Sequence, residues 1–384
     1  MENTGEETKI ALLNFLYRCN RHGNLIKYKQ IHFEKGEKFR MADTKKEHYV
    51  PRCYLENFAT TGKRIDVFDK WKLMVRSNQD IMNVAMENGF YDLDLIGLLQ
   101  NMDADLSAKT RADLMEIVGT DDWIEVEKII GDPKHIEKKH FAHLEGIYSP
   151  LLQSIIKKSY GGHSWVIKNC AAMSEEEKVH LSLFIAIQVI RTKRYRDTLG
   201  DMFAGMAEVL AYKAQMYDKD ALPREAFEVK ANPEFIKLQH SSTILDPEMT
   251  LHIAEILCDH VWIMYVNKTT IPFLTSDDPV VNIPHKKDPY MSHAGFASEG
   301  IEIVFPISPN LMLCMCDSKT YGHLFKDRQY YEISDPEQVE YYNMYQVFNS
   351  YRCVFSASHN FASVKQFCEE HPSLQSYQSH IEVL

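Results

Sequence analysis

The sequence predicts an α+β fold, a mixed sheet built from N- and C-terminal strands around a mainly helical middle. Three observations carry this reading. Short runs of β-branched and aromatic residues, bounded by Gly, Pro and Asp, fall near both ends of the chain. Apolar residues at three-and-four spacing fill the stretch between them. No internal repeat interrupts that order, so the terminal segments are expected to pair into one sheet. The expected division is a poorly ordered extension over 1–43 and a single domain over 44–384. That domain has a helical middle over 102–217 and a strand-rich part over 255–365.

The extension is polar, with Gly23, Gly36 and many lysines, and only Ile10 to Leu16 has helical character. Lys35-Gly36-Glu37 can be encoded by a purine run containing a ribosome-binding sequence, which makes Met41 the expected natural start. Intact-mass analysis of protein made from the native locus tests this, and a product beginning at Met1 would sink it. The segment His48 to Phe58 comes next. Pro51 fixes its own φ and biases Val50 toward extended backbone, so His48 sits on stiff chain outside a helix. Tyr54, Leu55 and Phe58 close one helical turn, with Asn57 off its apolar face. Arg64 to Phe68 and Lys72 to Val75 read as a hairpin through an Asp-Lys-Trp turn, and Phe90 to Leu93 as another short strand.

Helices are expected over Asp113 to Val118, Asp122 to Ile130 and Ile136 to Lys158. In the last, Phe141, Leu144, Tyr148, Leu152 and Ile155 form one stripe, with Glu145 at its edge. Gly161-Gly162 breaks the chain. Ser174 and Glu177 form a capping box that opens a helix running through Arg196 or beyond. Asp218 to Pro233 reads as a loop. Strands follow at Val261 to Asn267, Pro272 to Ser276, Ile301 to Pro306 and Leu311 to Cys316, then a helix over Asp335 to Ser350 and a strand near Cys353 to Phe355.

A net charge of −11 excludes a protein that coats nucleic acid through a global basic field, but not one with a local basic groove. The eight cysteines show no Cys-x-x-Cys pair. Cys314 and Cys316 alternate on one strand face, which suits reduced core thiols in a cytoplasmic protein better than a zinc knuckle. The longest apolar run, Leu181 to Ile190, contains Ser182 and Gln188 and falls short of the roughly 20 residues of a membrane span. The expectation is a cytoplasmic protein with no membrane partner.

Several polar residues sit awkwardly as core. Gln188 and Arg191 lie three apart on a helix that is apolar nearly all round. They either pair structurally, for instance with Glu145, or serve a site, and the residues alone leave both readings open. Lys193, Arg194 and Arg196 follow, a basic end that suits a phosphate or compensates a helix dipole. Ser276-Asp277-Asp278-Pro279 is good turn chemistry and also a loop position where catalytic groups are displayed. His135, His140 and His143 suggest a metal, but Lys138 and Lys139 crowd them, so a solvated helix face is expected.

His48-Tyr49-Val50-Pro51, with Tyr54-Leu55 and Asn57-Phe58, resembles the opening of a widespread microbial family. This is the domain of unknown function numbered four-two-three-eight, here called the His-Tyr-Val-Pro family. The resemblance spans about Thr44 to the mid-360s. Phe90-Tyr91, the Gln188, Arg191 and Thr192 set, the Ser276, Asp277 and Pro279 set, Ile301 to Pro309 and Asn343 also resemble it. Asp278 stands where many members have Asn. Membership implies a fold and these matched residues, with no established activity.

If His48 with Asn57, Glu145, Gln188 with Arg191, and Asp277 converge, the set suits hydrolysis of a phosphodiester, with a nucleic acid as the expected substrate. His48 is the expected acid or base. Glu145 and Asp277 are expected to hold the attacking water or a divalent ion such as magnesium or manganese. Arg191 would neutralise the phosphate. Gln188, Asn57, Thr192 and Ser276 would position the substrate. The alternative is a non-catalytic binding protein in which these residues lock the sheet to the helices.

Overall fold

The computed structural model describes residues 46–60, 62–92, 94–100, 104–118, 120–130, 134, 136–160, 170–215, 229–286, 288, 292–357 and 361–377. The expected extension, Met41, Leu93, His135, Gly161-Gly162 and most of the 218–233 loop lie outside the described residues.

In chain order the elements are β1 (Lys46–His48), α1 (Arg52–Leu55), β2 (Arg64–Asp69), β3 (Met74–Asp80), β4 (Met86–Asn88), α2 (Leu95–Gln100), α3 (Ala104–Val118) and α4 (Trp123–Ile130). A π turn (Ile136–Phe141) runs into α5 (Ala142–Tyr160), followed by α6 (Glu175–Ile190), α7 (Lys193–Ala214), α8 (Pro233–Leu245) and α9 (Pro247–Cys258). The last third holds β5 (Val261–Asn267), β6 (Thr275–Ser276), β7 (Val281–Pro284), β8 (Ile301–Ser308), β9 (Leu311–Cys316), α10 (Ser318–Tyr321), β10 (Gln329–Ile333), α11 (Pro336–Asn349), β11 (Cys353–Ser356) and α12 (Ala362–Glu370).

The fold is α+β, and its strands divide among more than one sheet. A four-stranded antiparallel sheet, in the order β3-β2-β11-β6, joins the N-terminal hairpin to C-terminal strands. A five-stranded sheet, β10-β5-β9-β8-β7, is built wholly from the last third, with β10 parallel to β5. A short ribbon pairs β1 with β4. The expected joining of the two ends therefore occurs, but the larger sheet stands apart from it.

The five-stranded sheet is buried on both faces, which is why its strands read as continuous apolar runs. Trp262, Met264, Phe305, Leu313 and Met315 face one core, which they share with Phe184 and Ile185 of α6. The alternate residues Ile263, Val304, Met312 and Cys314 face another, which includes Val339 and Tyr342 of α11. The four-stranded sheet puts Phe68 and Val354 against Phe361 and Val364 at α12.

Two local expectations change. The helix opened by the Ser174–Glu177 capping box ends at Ile190, and Thr192, extended at φ −73° and ψ 158°, caps a new helix by accepting the N–H of Tyr195. Phe90 and Tyr91 do not lie on a strand. Pairing stops at Asn88, Gly89 turns the chain at φ +61°, and both rings fold into the core.

Candidate functional site

The β1 strand, the π turn, α5 and the α6–α7 break converge on the His48 segment. Arg191 caps the C-terminus of α6 and is 2 % exposed. Its Nη2 donates to the backbone carbonyl of His48, its Nη1 lies 3.5 Å from Glu145 Oε1, and its guanidinium stacks 3.9 Å above the Phe141 ring. Tyr91 donates its hydroxyl to the Arg191 carbonyl at 2.6 Å. One position earlier, the Ile190 carbonyl accepts from His240 Nε2 at 2.8 Å, and His240 Nδ1 accepts from Arg196 Nε at 2.9 Å. These two contacts take up carbonyls that an uninterrupted helix would use itself, which explains the break at this point. Gln188 Nε2 donates to the Tyr49 carbonyl at 3.3 Å. His48, Glu145, Gln188 and Arg191 are therefore neighbours around one stretch of backbone.

His48 is 2 % exposed. Burial, with the positive charges of Arg52 and Arg191, lowers its pKa to about 4, so the imidazole is neutral. Its ring is oriented by hydrogen bonds to the backbone of Ile81 and Met82, while Nε2 is buried with no hydrogen-bond partner. Glu137, on the π turn, accepts the backbone N–H of His48. Burial raises its pKa to about 7, against the pull of Arg191. Glu137 Oε2, Gln188 Oε1 and Arg191 Nε are likewise buried without partners.

Ser276 and Asp277 belong to a second network. The Asp277 carboxylate accepts the N–H groups of Tyr351, Arg352 and Cys353 at 2.8, 2.9 and 2.7 Å. Burial pushes its pKa up, while those N–H groups and Lys70 hold the charged form. Ser276 donates to Gln346 at 3.0 Å and accepts the N–H of Asp278 at 3.2 Å. Asp278 lies 2.9 Å from Arg194 Nε, and burial raises it to about 7. Lys70, lowered by burial to about 8, donates to the carbonyls of Val347 and Ser350. Tyr49 links the networks, because its carbonyl meets Gln188 and its phenol lies in the field of Asp277, Cys353 and Glu87.

The remaining expected residues are placed elsewhere. Asn57 accepts from Gln153 on α5 at 2.7 Å. Thr192 spends its hydroxyl on the cap and on the Val189 carbonyl. Asn343 holds the N–H of Leu274 and the carbonyl of Pro272, a structural clasp. His140 packs beside Phe141 with ring centroids 5.5 Å apart. Among the described residues, no group of three or more His, Cys, Asp or Glu side chains is arranged to hold a metal.

Sequence reasoning missed Glu137, Glu47 and Lys70. Glu137 had a signal. The stripe of Phe141, Leu144, Tyr148, Leu152 and Ile155, carried back four residues, lands on it, and a carboxylate on an apolar stripe needs a partner.

A family described as "Protein of unknown function (DUF4238)" matches residues 46–360. No curated protein and no solved structure matches the chain.

Proposed function

The chain belongs to this family of unknown function, and on the geometry of the matched residues we propose that it hydrolyses phosphodiester bonds at His48. The observation that carries the proposal is the set of buried, unpartnered atoms around that residue: His48 Nε2, Glu137 Oε2, Gln188 Oε1 and Arg191 Nε. Buried polar atoms are paired in the great majority of cases, so four orphans on facing elements mark a place where water or a ligand completes the set.

The chemistry follows from the residues present. Arg191 and Arg52 make the surroundings of His48 positive, which favours an anionic phosphodiester. Burial is the first cause that holds the imidazole neutral, and an anion there offsets the added repulsion of the two arginines, so its pKa rises toward the working range of a base. Water attacks phosphorus, and its proton passes to His48 Nε2. The bond from phosphorus to the leaving oxygen breaks, and protonated Glu137 supplies the proton that this oxygen needs. Gln188 orients the phosphate and Glu145 holds Arg191. Asp277 has no part in this scheme, because its oxygens are already engaged. A nucleic acid is the substrate class proposed.

The test is cleavage of single- and double-stranded DNA, RNA and a generic phosphodiester, with magnesium, manganese or chelator. His48→Ala should lower the rate by about 10²–10⁴ and leave Tm within a few degrees. The second reading, a non-catalytic binding protein, is favoured by one observation, the triple N–H clasp on Asp277. An absence of cleavage on every substrate, with early unfolding of the His48→Ala protein, would decide for it.

A further inference from the structure

Glu47 lies at the middle of β1, next to His48, and its side chain is fully buried. Its Oε2 accepts the N–H of Tyr91 at 2.5 Å. Its Oε1 and the Oδ1 of Asp92 are both buried without another donor, and the two carboxyl groups are hydrogen-bonding neighbours. Ionised carboxylates only accept, so this contact requires a proton on one of them.

The other charged groups facing Glu47 do not replace that proton. Glu137 on the π turn adds a second negative charge when ionised. Arg196 on α7 is the nearby cation, but it stacks 3.5 Å above the Phe90 ring and donates to His240. Glu87, opposite Glu47 across the ribbon, is paired with Lys193 at 2.6 Å. Burial first, then Asp92, pushes the Glu47 carboxyl up to about 8.

The ribbon itself is weak. It pairs Lys46, Glu47 and His48 with Asn88, Glu87 and Met86, and a short two-stranded ribbon is marginal in water without side-chain support. It also carries His48, so its closure and the burial of that imidazole are one event.

We infer that Glu47 and Asp92 hold a single proton between them, and that its loss releases the β1–β4 ribbon and opens the His48 site. The inference rests on the reading of that site given above only for what the opening would admit.

The experiment is amide hydrogen exchange of the full chain across pH 6.5–9.5, expressed as protection factors for Glu47, His48, Glu87, Asn88 and Tyr91. In the native protein, protection of these amides should fall by about tenfold per pH unit as the pH rises toward the folded pKa and level off above it, while β8 and β9 stay protected. In Glu47→Gln the amide donates to Asp92 without a titrating proton, so protection should stay flat. Asp92→Asn removes the second carboxyl and offers Glu47 an amide donor, so the fall should be smaller and end at lower pH, which answers the question if the first variant fails to fold. Flat protection in the native protein, or an equal fall in a folded variant, would overturn the inference. The readout is independent of cleavage, so an inactive protein that still shows the pH-dependent release would remove the hydrolase reading alone.

Discussion

Replacing Asp277 with Asn preserves the shape of the side chain and takes away half of its accepting capacity. Three backbone N–H groups, from Tyr351, Arg352 and Cys353, converge on its two oxygens. An amide would turn a donor toward at least one of them, leaving a buried N–H unpaired and Lys70 short of a counter-charge. Asp277→Asn should therefore destabilise the protein by about 3 kcal/mol, read as a lowered midpoint in urea, with the cleavage rate per folded molecule unchanged. Loss of cleavage at unchanged stability would return Asp277 to the chemistry. The sequence marked this residue through the Ser-Asp-x-Pro resemblance, but not its use. The N–H groups it gathers lie on the approach to β11, distant in sequence, and no local pattern announces such a contact. Glu137 is the converse case. Its position on the apolar stripe was legible, and Glu137→Gln should lower the rate and abolish the alkaline limb of the pH–rate profile that the proposed hydrolysis predicts, the limb set by loss of the Glu137 proton, while keeping the fold.

The elements divide the same way between what is written locally and what is imposed by contact. The Ser174–Glu177 capping box, β9 and the Pro336–Asn349 helix were legible because cap chemistry and apolar patterning act within a few residues. Helices α8 and α9 carry a local start signal as well, since Asn232 and Asp246 cap them and Pro follows each cap at the first helical position, but the apolar patterning of α8 is too weak to announce it without that signal. The end of α6 was not legible. Nothing between Leu181 and Arg196 is a breaker, and the helix stops because Tyr91 and His240 draw on the Arg191 and Ile190 carbonyls. Thr192 completes the break, so Thr192→Ala should cost about 1 kcal/mol. It should also loosen Arg191, whose placement depends on where the helix ends. Thermal denaturation checks the first effect. If Thr192→Ala is as stable as the native protein, the cap is dispensable and the carbonyl contacts alone set the break.

At the scale of the molecule, the two networks and the cores around them leave several titratable groups with displaced pKa values, and their sum gives a stability profile with a definite sign. Glu47, Glu137 and Asp278 are raised to about 8, 7 and 7. Each keeps its proton in the folded state at a pH where the unfolded chain has lost it, so each makes stability fall as pH rises from the ordinary carboxylate range to its folded pKa. His48 and His240 are lowered to about 4 and 3. They act oppositely, favouring the folded state increasingly up to the ordinary imidazole value near 6.5 and no further. Below that pH the carboxyls and imidazoles largely offset one another. Between pH 6.5 and 8 only the carboxyls remain, and each contributes at most about 1.4 kcal/mol per pH unit of decline. Lys70, lowered to about 8, begins to act in the protein's favour only above that value. Tm should therefore drop between pH 6.5 and 8, where a typical protein is near its plateau, and Glu47→Gln should flatten part of that drop. A Tm that holds level or rises over this interval would mean that the buried carboxyls are ionised in the folded protein. The Arg191 and Arg194 guanidiniums would then be neutralising more charge than their contacts with Glu145 and Asp278 account for.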